Sequence, residues 1–67
     1  MRMKLQELRK AHGFTQVSMS QATNISRSHY SQIESGEKDP SLKVSLRIKR
    51  VLGYNGDDLF LNQKRPN

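Results

Sequence analysis

Leu5, Leu8 and His12 recur at i, i+3 and i+7 among good helix formers, and Gly13 supplies a stop, so the spacing predicts a first helix over Met3 to His12. Thr15 then reads as an N-cap for a second helix, Gln16 to Thr23, whose inner side carries Met19 and Thr23 with Ser20 beside them. So polar an inner side predicts shallow burial. Asn24 breaks the pattern; after Gly it is among the residues that most readily take the left-handed backbone conformation a sharp helix-to-helix turn requires. Ser26 caps a third helix, Arg27 to Ser35, in which Tyr30 and Ile33 form the apolar stripe. Arg27, Ser28, Ser31 and Gln32 are free to face outward, and Gly36 ends the segment.

From Leu42 to Lys49 apolar and polar residues alternate strictly, which taken alone is a strand signal and could build a basic β-ribbon from Lys43, Arg47 and Lys49. Such a ribbon normally precedes its helices. Here three helical segments stand in front, and about eighteen residues remain behind, too few for two more full helices. The pattern therefore predicts a fourth helix begun by Pro40-Ser41 and stopped by Gly53, with Leu42, Val44, Leu46, Ile48, Val51 and Leu52 on one broad arc. Ser45 and Lys49 interrupt that arc, and Lys49 is expected to lay its methylenes on the core while its ammonium reaches water. A fifth, short helix is predicted over Gly56 to Leu61, capped by Asn55, with Asp57 and Asp58 in its first turn.

Sixty-seven residues suit one domain with a single modest core. The expected fold is all-α: a compact five-helix domain over residues 1–61, followed by a short basic flexible tail, 62–67, with no further domain. Twelve Lys and Arg against six Asp and Glu leave a net charge of +6, which favours a polyanionic partner, although it would also serve solubility. There is no cysteine, hence neither a disulfide framework nor a thiolate metal site, and a cytoplasmic setting is the natural expectation. Apolar runs of two or three residues exclude a transmembrane span and a signal peptide, and the stretch before the first helix is too short and polar for a leader. No membrane partner is expected.

Chemistry-bearing clusters are sparse. His12 and His29 are the only histidines and lack nearby cysteines or carboxylates, so no metal and no cofactor is expected. Asp57 and Asp58 are adjacent, point about 100° apart on a helix and cannot face each other as an acid/base pair. Without a Gly-rich phosphate loop or a nucleophile elbow, the chain does not read as an enzyme.

What remains is an ordered set: Thr15-Gln16, Ser20, Asn24-Ile25-Ser26, Tyr30, Glu34-Ser35-Gly36, Pro40-Ser41-Leu42 and Ile48 to Gly53. In this set the chain resembles the Cro/CI-type (XRE-like) helix-turn-helix family of phage repressors and small bacterial regulators, over roughly residues 3–61. Asn24 stands where the family usually has Gly, Ser20 where it has Ala, and Ser45 and Lys49 where Leu and Ala are common. The resemblance implies a lambda-repressor-like fold and a sequence-specific transcriptional regulator, most simply a repressor, that binds a palindromic operator in double-stranded DNA as a homodimer at the nucleoid.

The resemblance also implies roles for residues. Arg27, Ser28 and Gln32 would face base edges, Arg27 suiting guanine O6 and N7 and Gln32 adenine N6 and N7. Thr15, Gln16, Ser26, His29 and Ser31 would lie along phosphates, where helix N-termini aim backbone N–H groups. Lys38 in the loop and Lys43 in the first turn of the fourth helix are further phosphate candidates, or plain solubility charges. Arg9 and Glu34 match a pair that the family often joins as a partly buried ion pair. Leu59, Phe60 and Leu61 are the candidate dimer interface, as apolar residues near a chain end. Two rival readings stand beside this one: an antitoxin that also holds a toxin (or a regulator met by an antirepressor protein), and a basic module that binds an acidic protein.

Overall fold

The computed structural model describes residues 1–61. Among them lie four helices, α1 (Met3–Ala11), α2 (Gln16–Thr23), α3 (Arg27–Ser35) and α4 (Leu42–Leu52). Their ends are set by side chains and turns that the sequence advertises. The Thr15 hydroxyl accepts the Ser18 N–H at 3.0 Å while the Ser18 hydroxyl accepts the Thr15 N–H at 2.9 Å, a reciprocal cap in which Ser replaces the usual acid. Ser26 and Ser41 cap α3 and α4 by accepting from His29 N–H and Val44 N–H. At the end of α2, Asn24 sits at φ 59°, its N–H donating to the Gln21 carbonyl and the Ile25 N–H to the Ser20 carbonyl. That pairing is the Schellman closure of a helix. Helix α1 closes in the same way one residue before the expected end, leaving His12 as its cap.

Helix α3 packs on α2 and α1, and α2 also packs on α4. Leu5, Met19, Tyr30, Ile33, Val44, Ile48, Leu52 and Leu59 make the core, with Leu8, Phe14, Ile25, Val51, Tyr54 and Phe60 against it. The shallow burial expected of α2 is corrected: Met19, Ser20 and Thr23 are all buried. The two hydroxyls do not resist burial because each satisfies itself locally, Thr23 donating to the Met19 carbonyl at 2.8 Å and Ser20 to the Val17 carbonyl at 2.7 Å.

Two expectations near the C-terminus also change. The arc assigned to α4 is split. Val44, Ile48 and Leu52 are buried at i, i+4 and i+8, but Leu42 is 76% exposed and Leu46 53%. A step of two residues turns a helix by about 200°, so a strictly alternating sequence cannot put every apolar residue on one side. Ser45 and Lys49 fall outside the buried stripe and do not interrupt it.

The fifth helix is absent among the described residues: Gly56 to Leu61 forms one bend, at Asp57, and one turn, closed by Leu61 N–H donating to the Asp58 carbonyl at 3.3 Å. Asp58, expected to favour a helix start, instead accepts a hydrogen bond from the Tyr54 hydroxyl and lies 3.9 Å from the Lys4 ammonium. A segment this short does not recover the cost of nucleating a helix. The basic tail predicted for 62–67 lies outside the described residues.

Candidate nucleic-acid interface

The interface is built from the turn between α2 and α3. Asn24 in the left-handed region and Ser26 in extended backbone reverse the chain within three residues. From α4, Arg47 reaches the Thr23 carbonyl at 3.5 Å, supporting the turn from behind. On α3, Tyr30, Ile33 and Glu34 are buried, which by the 100° spacing turns Ser28 and Gln32 to the opposite side with Ser31 at its edge, while Arg27 stands at the first residue of the helix, two turns before Glu34. Arg27 and Ser28 are exposed and Ser31 and Gln32 half-buried. Among the described residues, the side chains of Arg27, Ser28 and Gln32 make no hydrogen bond or ion pair within the chain. Their donors and acceptors are available to an outside partner.

Behind this face stands a buried charge pair. Arg9 donates through Nε to Glu34 Oε2 at 2.8 Å and through Nη2 to Oε1 at 3.1 Å, while its Nη1 donates to the Phe14 carbonyl at 2.8 Å. This is the forked geometry of the strongest ion pairs, and it ties α1 to the end of α3. Burial alone would push the Glu34 carboxyl up, but the hydrogen bonds, led by those from Arg9, hold it below the usual carboxylate range. The Arg9 guanidinium is raised, first by its hydrogen bonds to Glu34. Beside them the Tyr30 hydroxyl is buried without a hydrogen bond of good geometry, and its pKa is pushed up, by burial first and by Glu34 second.

The remaining phosphate candidates fall in different places. Gln16, at the start of α2, turns its carboxamide inward and donates from Nε2 to Glu34 Oε1 at 3.2 Å. That uses one of its two N–H bonds, so the other is still open to a phosphate. Thr15 and Ser26 serve as caps at the N-termini of α2 and α3. His29 is half-buried at the flank of α3, and Lys38 and Lys43 are exposed. Lys38 is fastened to α3 by its N–H, which donates to the Gln32 carbonyl at 3.1 Å.

Of the three residues expected to meet a second copy, Leu59 is corrected. It is fully buried in the chain's own core, drawn in by the turn at Asp58 to Leu61, and cannot serve as an outer surface. Phe60 is half-buried and Leu61 is 60% exposed.

Sequence reasoning missed Arg2. It is 2% exposed, with a guanidinium that donates to the carbonyls of Ile33, Lys38 and Phe60 and to the Asp39 carboxylate. Every partner is more than thirty residues away, so no local spacing marks it; the only signal was an arginine directly before an amphipathic helix.

Among the described residues there is no group of three or more His, Asp or Glu that could hold a metal ion, and no helix long and apolar enough to cross a membrane. Two short helices across a tight turn, the second with a free polar face in a chain of net charge +6, define a helix-turn-helix domain. The helix-turn-helix family matches residues 5–59, and the chain belongs to it, in its XRE-like branch. The chain is similar to the uncharacterised HTH-type transcriptional regulator YqaF of Bacillus subtilis, 40% identical over 60 residues that span 90% of this chain and 79% of that one. It is also similar to uncharacterised HTH-type transcriptional regulators of two archaea. The one from Methanocaldococcus jannaschii is 34% identical over 91% of this chain and 92% of the relative. The one from Archaeoglobus fulgidus is 31% identical over 91% and 87%. No solved structure gives a significant match.

Proposed function

We propose that this chain, a DNA-binding transcriptional regulator and not an enzyme, reads a specific duplex sequence by laying α3 in the major groove. The observation that carries the reading is the outward face of α3. Arg27, Ser28 and Gln32 stand unpaired at the first turns of a helix whose N-terminus is capped by Ser26 and whose opposite side is locked into the core. Arg27 supplies the bidentate donor that fits guanine, and Gln32 the donor and acceptor that fit adenine. Thr15, Gln16, Ser26, His29, Ser31, Lys38 and Lys43 border that face as phosphate contacts, which fix register without reading sequence.

A homodimer on a palindromic operator supports this chemistry. One domain spans about four to six base pairs, whereas two copies one helical turn apart, about 34 Å, reach useful affinity. Leu61 and Phe60 remain candidates for the contact between copies. Repression by occupying a promoter is the simplest output for a domain of this kind, and DNA as partner implies residence at the nucleoid. Relatives that are HTH-type transcriptional regulators do not favour the antitoxin or the acidic-partner reading.

The test is Arg27→Ala, titrated against a selected site and a scrambled duplex. The expected loss is about 1–3 kcal/mol on the selected site alone, with relaxed preference at one base pair. Equal losses on both duplexes would remove Arg27 from the base-reading role.

A further inference from the structure

The loop cation Lys38 has its backbone held from both sides. Its N–H donates to the Gln32 carbonyl at 3.1 Å, and its own carbonyl accepts from Arg2 Nη1 at 3.0 Å. The same guanidinium donates through Nη1 to the Ile33 carbonyl at 2.5 Å, through Nε to the Phe60 carbonyl at 2.9 Å and through Nη2 to the Asp39 carboxylate at 2.5 Å. The Arg2 backbone N–H completes the set, donating to the Glu34 carbonyl at 2.9 Å. One side chain thus ties together the end of the recognition helix, the loop that carries Lys38 and the C-terminal turn. A planar guanidinium offers five N–H donors in fixed directions, and an ammonium cannot reach the same partners from one point. Placing its positive charge at the C-terminal carbonyls of α3 also complements the helix dipole.

We propose that Arg2 is a positioning residue for DNA binding: it sets the backbone of Lys38, and with it the direction in which that exposed ammonium meets phosphate, without touching DNA itself. The inference rests on the DNA-binding reading above. Arg2 is too deeply buried, at 2% exposure, to contact a duplex, and its charge is already matched by Asp39. Its effect on DNA therefore passes through the loop. Lys38 is the one phosphate candidate whose backbone the guanidinium grips directly.

The experiment is a double-mutant cycle of Lys38→Ala and Arg2→Gln, read as the slope of log affinity against log salt on a selected duplex, at a temperature where circular dichroism shows each variant folded. With Arg2 present, Lys38→Ala is expected to lower the slope by about one. With Arg2→Gln the slope is already lower by about one, and Lys38→Ala changes it no further. If Arg2→Gln does not fold, Arg2→Lys takes its place; it keeps the charge but loses the fork, and the same loss of slope and of dependence on Lys38 is expected. Equal effects of Lys38→Ala in both backgrounds would overturn the proposal, leaving Arg2 as a stabilising residue whose loss lowers the unfolding temperature only. No effect of Lys38→Ala in either background would overturn it too. In that case the wild-type preference for the selected over a scrambled duplex decides independently whether the DNA-binding reading stands.

Discussion

Three arginines show how one side chain takes opposite roles according to burial. Arg2 and Arg9 are buried and spend their donors on carbonyls and carboxylates within the chain, whereas Arg27 is exposed with its fork unused. A buried guanidinium is tolerated only when matched, and Glu34 matches Arg9 with two hydrogen bonds. Glu34→Gln leaves Arg9 buried without its counter-charge, and urea unfolding is expected to show a loss of about 3–5 kcal/mol. Because the Glu34 carboxyl is held below the usual range when folded, its contribution is present above the unfolded value, about pH 4.3, and is lost as pH falls through the lower folded value. Unfolding free energy of the wild type is therefore expected to decline on acidification below about pH 4.3. A profile that stays flat down to pH 2 would contradict this assignment. Arg9 and Glu34 were marked in the sequence only by family resemblance; the spacing of 25 residues carries no local signal.

The helices owe their bounds to short-range punctuation. Thr15, Asn24, Ser26, Gly36, Ser41 and Gly53 occupy the cap positions of α2, α3 and α4 in the structure. Caps act over three or four residues, which is why these ends were legible. Asn24 is the most constrained of them, at φ 59° without the freedom of Gly. Asn24→Ala is expected to destabilise by about 1–2 kcal/mol, because a Cβ without a compensating polar group is strained in that region, while Asn24→Gly is expected to be tolerated. Thermal unfolding of both variants checks this; equal midpoints would show that the turn does not depend on left-handed backbone. The readings that failed at this scale depended on distant partners or on phase. Tyr54 and Lys4 claim Asp58 and remove a helix start, and the alternation of Leu42 to Lys49 spreads apolar residues around α4.

At the scale of the whole molecule, a small core and a strong positive charge divide the labour: one side of each helix is committed inward, leaving the first turns of α3 unpaired for an outside ligand. The core could be read from residue type, since Tyr30, Ile33, Val44 and Ile48 recur at helical spacing. The Arg2 tie could not, because it joins chain segments 31 to 58 residues apart. Association of two copies is a property of this scale. Leu61→Glu is expected to weaken it, seen in sedimentation as a shift toward monomer and on a palindromic site as loss of cooperative binding of the second copy. Unchanged sedimentation and cooperativity would move the contact between copies elsewhere, and the exposed Leu42 and Leu46 would be the next residues to substitute.

The most direct measurement of sequence-specific reading by α3 is selection of sites from a random duplex library, with the best site and a scrambled control then titrated at two salt concentrations. A palindromic consensus bound at least about a thousandfold more tightly than the control is the expected result. Uniform binding to both duplexes, steeply weakened by salt, would contradict the account, because it would leave the charge as the whole of the interaction.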